Sequence, residues 1–94
     1  HIILMNNNCK YLNGTTSQAV KSAAGTFYGI VVNSHSSGTL KLWDNTSAAT
    51  TVIFNTITFA AGSGIVLSFP QGISFYTGLY LEKGGTIDYT ILYR

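Results

Sequence analysis

The groups in this 94-residue chain best able to act as acid, base, nucleophile or metal ligand are few. They are the carboxylates of Asp44, Glu82 and Asp88, the imidazoles of His1 and His35, and the thiol of Cys9. A Ser-His-Asp arrangement can be drawn from His35, Asp44 and one of many serines. No Gly-x-Ser-x-Gly elbow accompanies it, and serine is common enough here to make such pairings chance events. The three acids fall in separate turns or strands, without the closely spaced oxygens of a calcium loop or a His-x-x-x-His pair. The glycines punctuate strands and do not open a helix, so they make no phosphate cradle. No catalytic residue, metal site or cofactor is expected. His35, in NSHSSG, reads as an exposed residue of a hairpin loop. Cys9 has no partner for an intrachain disulfide and reads as a small, partly buried hydrophobe.

Two other features could carry binding. Asn13-Gly14-Thr15 and Asn45-Thr46-Ser47 match the N-glycosylation triplet, a weak match in a chain rich in Asn, Thr and Ser. Six Tyr, five Phe and one Trp could form a carbohydrate platform, because aromatic faces stack on sugar rings while uncharged side chains bond hydroxyls. Core and subunit interface are the commoner destination of such residues. In SGTLKLWDNTS, Trp43 follows Lys41 and Thr39 on the face opposite Leu40 and Leu42. That alternation makes Trp43 the best single candidate for a contact with another molecule.

Positioning these residues requires strands. Turn chemistry recurs every eight to twelve residues: Asn13-Gly14, Ala24-Gly25, Ser36-Ser37-Gly38, Asp44-Asn45, Ala61 to Gly64, Pro70-Gln71-Gly72, Gly78 and Gly84-Gly85. Between them lie short β-branched and aromatic runs, and no 3.6-residue period is sustained. In TFYGIVVN, Tyr28, Ile30 and Val32 point one way and Phe27, Gly29, Val31 and Asn33 the other. In TVIFNTITF, Val52, Phe54, Thr56 and Thr58 share the face opposite Ile53, Asn55, Ile57 and Phe59. Pro70 is expected to end the pairing of GIVLSF, leaving a short strand from Ile73 to Phe75. LYLEK and TIDYTILY read as a hairpin closed by Gly84-Gly85. With weaker strands at 9–12 and 17–23, the count is eight or nine. The fold predicted is all-β: a single antiparallel β-sandwich, jelly-roll-like or Greek-key, of about eight strands. Residues 15–94 are expected to form the β-sandwich domain and residues 1–14 a flexible or extended arm.

Composition adds a constraint on partners. Only 9% of residues are charged, against roughly 25% in ordinary soluble domains. So few charges leave a monomer's surface poorly protected, and two-sided apolar strands suggest burial against other copies. The net charge of +2 is scattered, which disfavours nucleic acid. No apolar run is long enough to span a bilayer as a helix. HIILM is shorter than a signal peptide's apolar region and lacks a basic flank, and Met5 is a candidate start.

The runs SGTLKLWDNTSAATTVIFNTITF and GLYLEKGGTIDYTILYR resemble small virion proteins of tailed bacteriophages. The shared pattern is a Gly-Thr strand, an outward aromatic, Asp-Asn-Thr-Ser-Ala in the turn, a Val-Ile strand and a closing Thr-Ile-x-Tyr-Thr strand. It covers roughly residues 15–94. The resemblance implies a non-enzymatic structural protein on the virion. The leading expectation is a capsid decoration or cement protein, a homo-oligomer contacting the major capsid protein or another virion protein. The alternative is a receptor- or glycan-binding module of a fibre, spike or tail, with a host surface glycan as partner. Interface residues expected on this reading are Trp43, Lys41, Phe27, Tyr80 and Phe54. Trp43→Ala is expected to weaken attachment to the particle more than it unfolds the isolated domain. Equal loss of thermal stability with unchanged particle binding would overturn that.

Overall fold

The computed structural model describes residues 8–61 and 64–94. The seven leading residues, and the middle of the turn expected between Ala61 and Gly64, lie outside the described part. Among the described residues there is no helix and there are six strands. These are β1 (Lys10–Gly14), β2 (Gln18–Lys21), β3 (Gly25–Trp43), β4 (Val52–Thr58), β5 (Ile65–Phe75) and β6 (Leu79–Tyr93). All belong to one antiparallel sheet. β3 and β6 pair along nearly their whole length, from Phe27↔Tyr93 to Trp43↔Tyr80. β1 and β2 line the far edge of β6. β5 and β4 line the far edge of β3.

The all-β class holds, but the strands number six and form one hydrogen-bonded sheet where eight in a sandwich were expected. The difference has one cause. Three places with turn composition do not reverse the chain: Ser36-Ser37-Gly38 lies inside β3, Pro70-Gln71-Gly72 inside β5 and Gly84-Gly85 inside β6. Positive φ is needed at a β-bulge as much as at a turn, and Ser37 (51°), Gly72 (78°) and Gly85 (64°) supply it. The hairpin expected at Gly84-Gly85 is therefore a bend within a continuous strand. Lys10–Gly14, placed in an arm by the sequence, is an edge strand paired with Gly14↔Tyr89 through Lys10↔Tyr93. Cys9, expected to be partly buried, is exposed just before it.

Bulges also re-phase the faces. Tyr28 is an extra residue between Phe27↔Tyr93 and Gly29↔Leu92. Phe27 thereby joins Ile30 and Val32, all three essentially fully buried. In β4, Leu40 pairs with Ile57 but Leu42 with Phe54, three residues against two. Phe54 is thereby turned toward the core. β6 needs no such correction: Leu79, Leu81, Ile87, Tyr89 and Ile91 keep strict alternation and are all buried.

The sheet is folded on itself. A straight β3 would separate Phe27 from Leu42 by roughly 50 Å. Yet the Phe27 ring lies 6.0 Å from that of Phe54, the partner of Leu42, and 5.8 Å from Phe69 on β5. Phe54 and Phe69 are 5.4 Å apart. The two halves of the ribbon therefore face each other across a shared core. β3 and β6 bend together where Ser36↔Thr86 gives way to Thr39↔Gly84. His35 sits at this crease, half-buried and not exposed as expected, its ring 5.4 Å from that of Phe59. Its Nδ1 accepts the Gly38 N–H at 3.2 Å.

A polar tie crosses between the halves on the other side. Tyr89, fully buried, donates its hydroxyl to the Thr16 carbonyl at 2.7 Å and accepts from Gln18 Nε2 at 2.8 Å. Burial raises the phenol's pKa, more than the bond from Gln18 lowers it. The group stays neutral through the physiological range.

A Cβ on Gly85 would collide with the Ser37 and Ser36 carbonyls, in a backbone conformation side chains rarely adopt. Gly85→Ala is expected to cost about 2 kcal/mol or more, read as a lowered urea midpoint. A midpoint within error of wild type would show that the crease tolerates a side chain.

Candidate functional site

Alternation along β3 places Thr39, Lys41 and Trp43 on the outer face, opposite the buried Leu40 and Leu42. Antiparallel register brings Gly84, Glu82 and Tyr80 of β6 beside them, as Thr39↔Gly84, Lys41↔Glu82 and Trp43↔Tyr80. The extra residues of β4 add Thr56. Three of the five expected interface residues, Trp43, Lys41 and Tyr80, thus meet on one surface. The other two do not. Phe27 is fully buried, and Phe54 is half-buried in the aromatic cluster with Phe27 and Phe69. The reason is the pair of bulges described above, which period-two counting cannot see.

Trp43 is held within its own chain. Its indole N–H donates to Glu82 Oε1 at 2.9 Å, and the Lys41 ammonium lies 4.4 Å from the ring centroid. A cation over an aromatic face and a hydrogen bond to a carboxylate each stabilise by the order of 1 kcal/mol. Trp43 therefore contributes to stability as well as presenting surface. Beside it lies a cavity of about 210 Å³ lined by Thr39, Lys41, Thr56, Glu82, Lys83 and Gly84. A Cβ on Gly84 would collide with Thr39 Oγ1, so the glycine leaves room for the threonine side chain.

A second outer face carries no charged residue in its two central rows. Across β1, β6, β3 and β5 run two rows, Tyr11–Leu92–Gly29–Ser68 and Asn13–Thr90–Val31–Val66. Tyr11 is 69% and Val66 67% exposed. Asp88 borders the rows and accepts from Asn33 Nδ2 at 3.2 Å. Sequence alternation had Gly29 and Val31 sharing one face with Phe27 and Asn33; the neighbours from β1 and β5 needed the register.

The end of β3 is fixed by Asp44. Its carboxylate accepts the N–H groups of Thr77 (2.8 Å), Tyr76 (3.0 Å) and Gly78 (3.4 Å) in the link between β5 and β6. Partial burial works to raise its pKa, but the three donors together outweigh it and hold the carboxyl below the ordinary aspartate value. Asn45 closes the following turn, accepting from the Thr46 N–H at 2.7 Å and donating to the Ala49 carbonyl at 3.0 Å.

Among the described residues, no three of His, Cys, Asp and Glu come together to hold a metal. No family model, curated protein or solved structure matches this chain. Fold and surface define it as an all-β, single-sheet domain with two distinct outer faces.

A depressed carboxylate pKa stabilises the fold above the ordinary value, near pH 4, and this contribution is lost as pH falls through the folded value. Asp44→Asn is expected to cost about 1 kcal/mol at pH 7, discounted for solvent exposure. Urea denaturation at pH 7 and pH 3 should show the gap between variant and wild type narrowing in acid. A gap independent of pH would mean that the carboxylate charge contributes nothing.

Proposed function

We propose that this chain is a non-enzymatic virion structural protein of a tailed bacteriophage, a capsid decoration or cement protein acting as a homo-oligomer on the particle surface. The observation that supports this most is the outer face of β1, β6, β3 and β5, whose two central rows carry no charge and where Tyr11 and Val66 stand two-thirds exposed. Monomer surfaces rarely leave such a face to water, whereas subunit contacts concentrate Tyr and aliphatic residues at their centres. In this reading the folded sheet works as a two-layer β-sandwich. One outer layer meets a neighbouring copy or the major capsid protein. Binding that selects the assembled shell shifts the equilibrium away from disassembly by mass action. At about 25 cal/mol per Å², a few hundred Å² of apolar contact contributes several kcal/mol gross, before ordering costs.

A receptor- or glycan-binding module of a fibre, spike or tail is the second reading. The polar cavity beside Trp43 favours it.

Sedimentation of the purified chain should show a discrete oligomer that Tyr11→Ser with Val66→Ser dissociates, leaving the melting temperature of the isolated domain nearly unchanged. In purified particles, a copy number that scales with capsomers on the head is expected. A chain that stays monomeric at high concentration, or a few copies confined to the tail, would overturn the decoration reading.

A further inference from the structure

Lys41 and Glu82 face each other across β3 and β6, a register in which opposite charges ordinarily pair. Here they do not. The Glu82 carboxylate is turned to the Trp43 indole N–H, and the Lys41 ammonium rests over the Trp43 ring. Among the described residues neither charged group has a further hydrogen bond or ion pair. Trp43 thus holds a cation and an anion apart while both line the same cavity, with Thr39 and Thr56 completing its wall. Thr39 packs against Gly84, where a Cβ would collide with its hydroxyl. Lys41, Lys83, Glu82 and the two threonines line a space of about 210 Å³, and the Lys83 ammonium is already committed to the Gly85 carbonyl at 2.7 Å.

We propose that this cavity binds one ring of a neutral sugar through a vicinal pair of hydroxyls, one donating to Glu82 and its neighbour accepting from Lys41. This rests on the glycan-binding reading and assigns its site and ligand class. A hydroxyl both donates and accepts, so adjacent hydroxyls suit separated charges of opposite sign. A zwitterion such as an amino acid also offers both signs. It must first shed tightly bound water, and at a half-exposed site the Coulomb return is small. A neutral diol escapes that cost. The volume lies below the roughly 300 Å³ at which drug-sized pockets begin, which limits the ligand to a single ring. Affinity for one ring is then on the order of millimolar, and repeated copies on an oligomer would raise it by multivalency. Trp43 is a positioning residue here, since it does not line the cavity.

The test uses methyl α-glucoside, methyl α-galactoside and methyl α-mannoside, with glycine and inorganic phosphate as competing chemistries. Amide shifts in labelled wild-type protein locate binding, and emission from Trp43, the single Trp, gives an independent readout. At least one glycoside should shift Thr39, Lys41, Thr56, Glu82 and Gly84 saturably, and Glu82→Gln and Lys41→Met should each weaken it about fivefold. Should either variant fail to fold, the wild-type shift map decides alone. Stronger shifts from glycine or phosphate than from every glycoside would overturn the ligand class. Saturable glycoside shifts on the Tyr11 and Val66 face alone would overturn the site while sparing the glycan-binding reading. Absence of saturable shifts with all three glycosides would overturn both.

Discussion

Everything in this domain depends on bringing the two halves of one long ribbon into contact. β3 and β6 are too long to lie straight in a chain of this size, and each half alone would expose an apolar face. Contact among Phe27, Phe54 and Phe69 closes the fold, because these rings come from opposite halves yet lie within about 6 Å of one another. Aromatic side chains suit the task, each covering a large area for few rotatable bonds. The bulges that rotate Phe27 and Phe54 inward are as necessary as the rings themselves.

Polar groups finish what the rings begin. Tyr89 reaches from β6 to Gln18 and Thr16, and Asp44 draws the link before β6 onto the end of β3. Both satisfy backbone or amide groups that the folding of the sheet would otherwise strand. With these bonds made, the interior needs no charge: the fully buried side chains are apolar apart from the Tyr89 hydroxyl, and His35 Nε2 is buried at the crease without a hydrogen-bond partner among the described residues. The few charged residues are left for the outside. Lys41 and Glu82 serve one outer face, while the other face has none in its two central rows.

Much of this was legible in the sequence, and the failures share a physical origin. The all-β class, the edge strands near 9–12 and 17–23, the outward Trp43 with Lys41 and Tyr80, and the Asp44-Asn45 turn all follow from alternation and punctuation. What misled was punctuation itself. Gly and Ser with positive φ mark a reversal or a bulge equally well, and nothing local distinguishes Gly84-Gly85 in a bend from the same pair in a hairpin. Each mistaken turn cut a strand in two. Each unseen bulge put a side chain such as Phe27 on the wrong face. The cavity beside Trp43 was out of reach for a different reason: its residues come from three strands, and only register assembles them.

The position of β6 has a consequence for how the molecule is made. Among the described strands β6 comes last in sequence and is central in space: β1, β2 and β3 each have it as a hydrogen-bonded partner. During synthesis, β1, β2 and β3 are made before the strand that joins them. Pairings such as Lys10↔Tyr93 span most of the chain, and contacts of that separation form slowly. In the interval the unpaired edges of β1, β2 and β3 are open to other chains. At high local concentration, a neighbour's β6 is as good a template as its own.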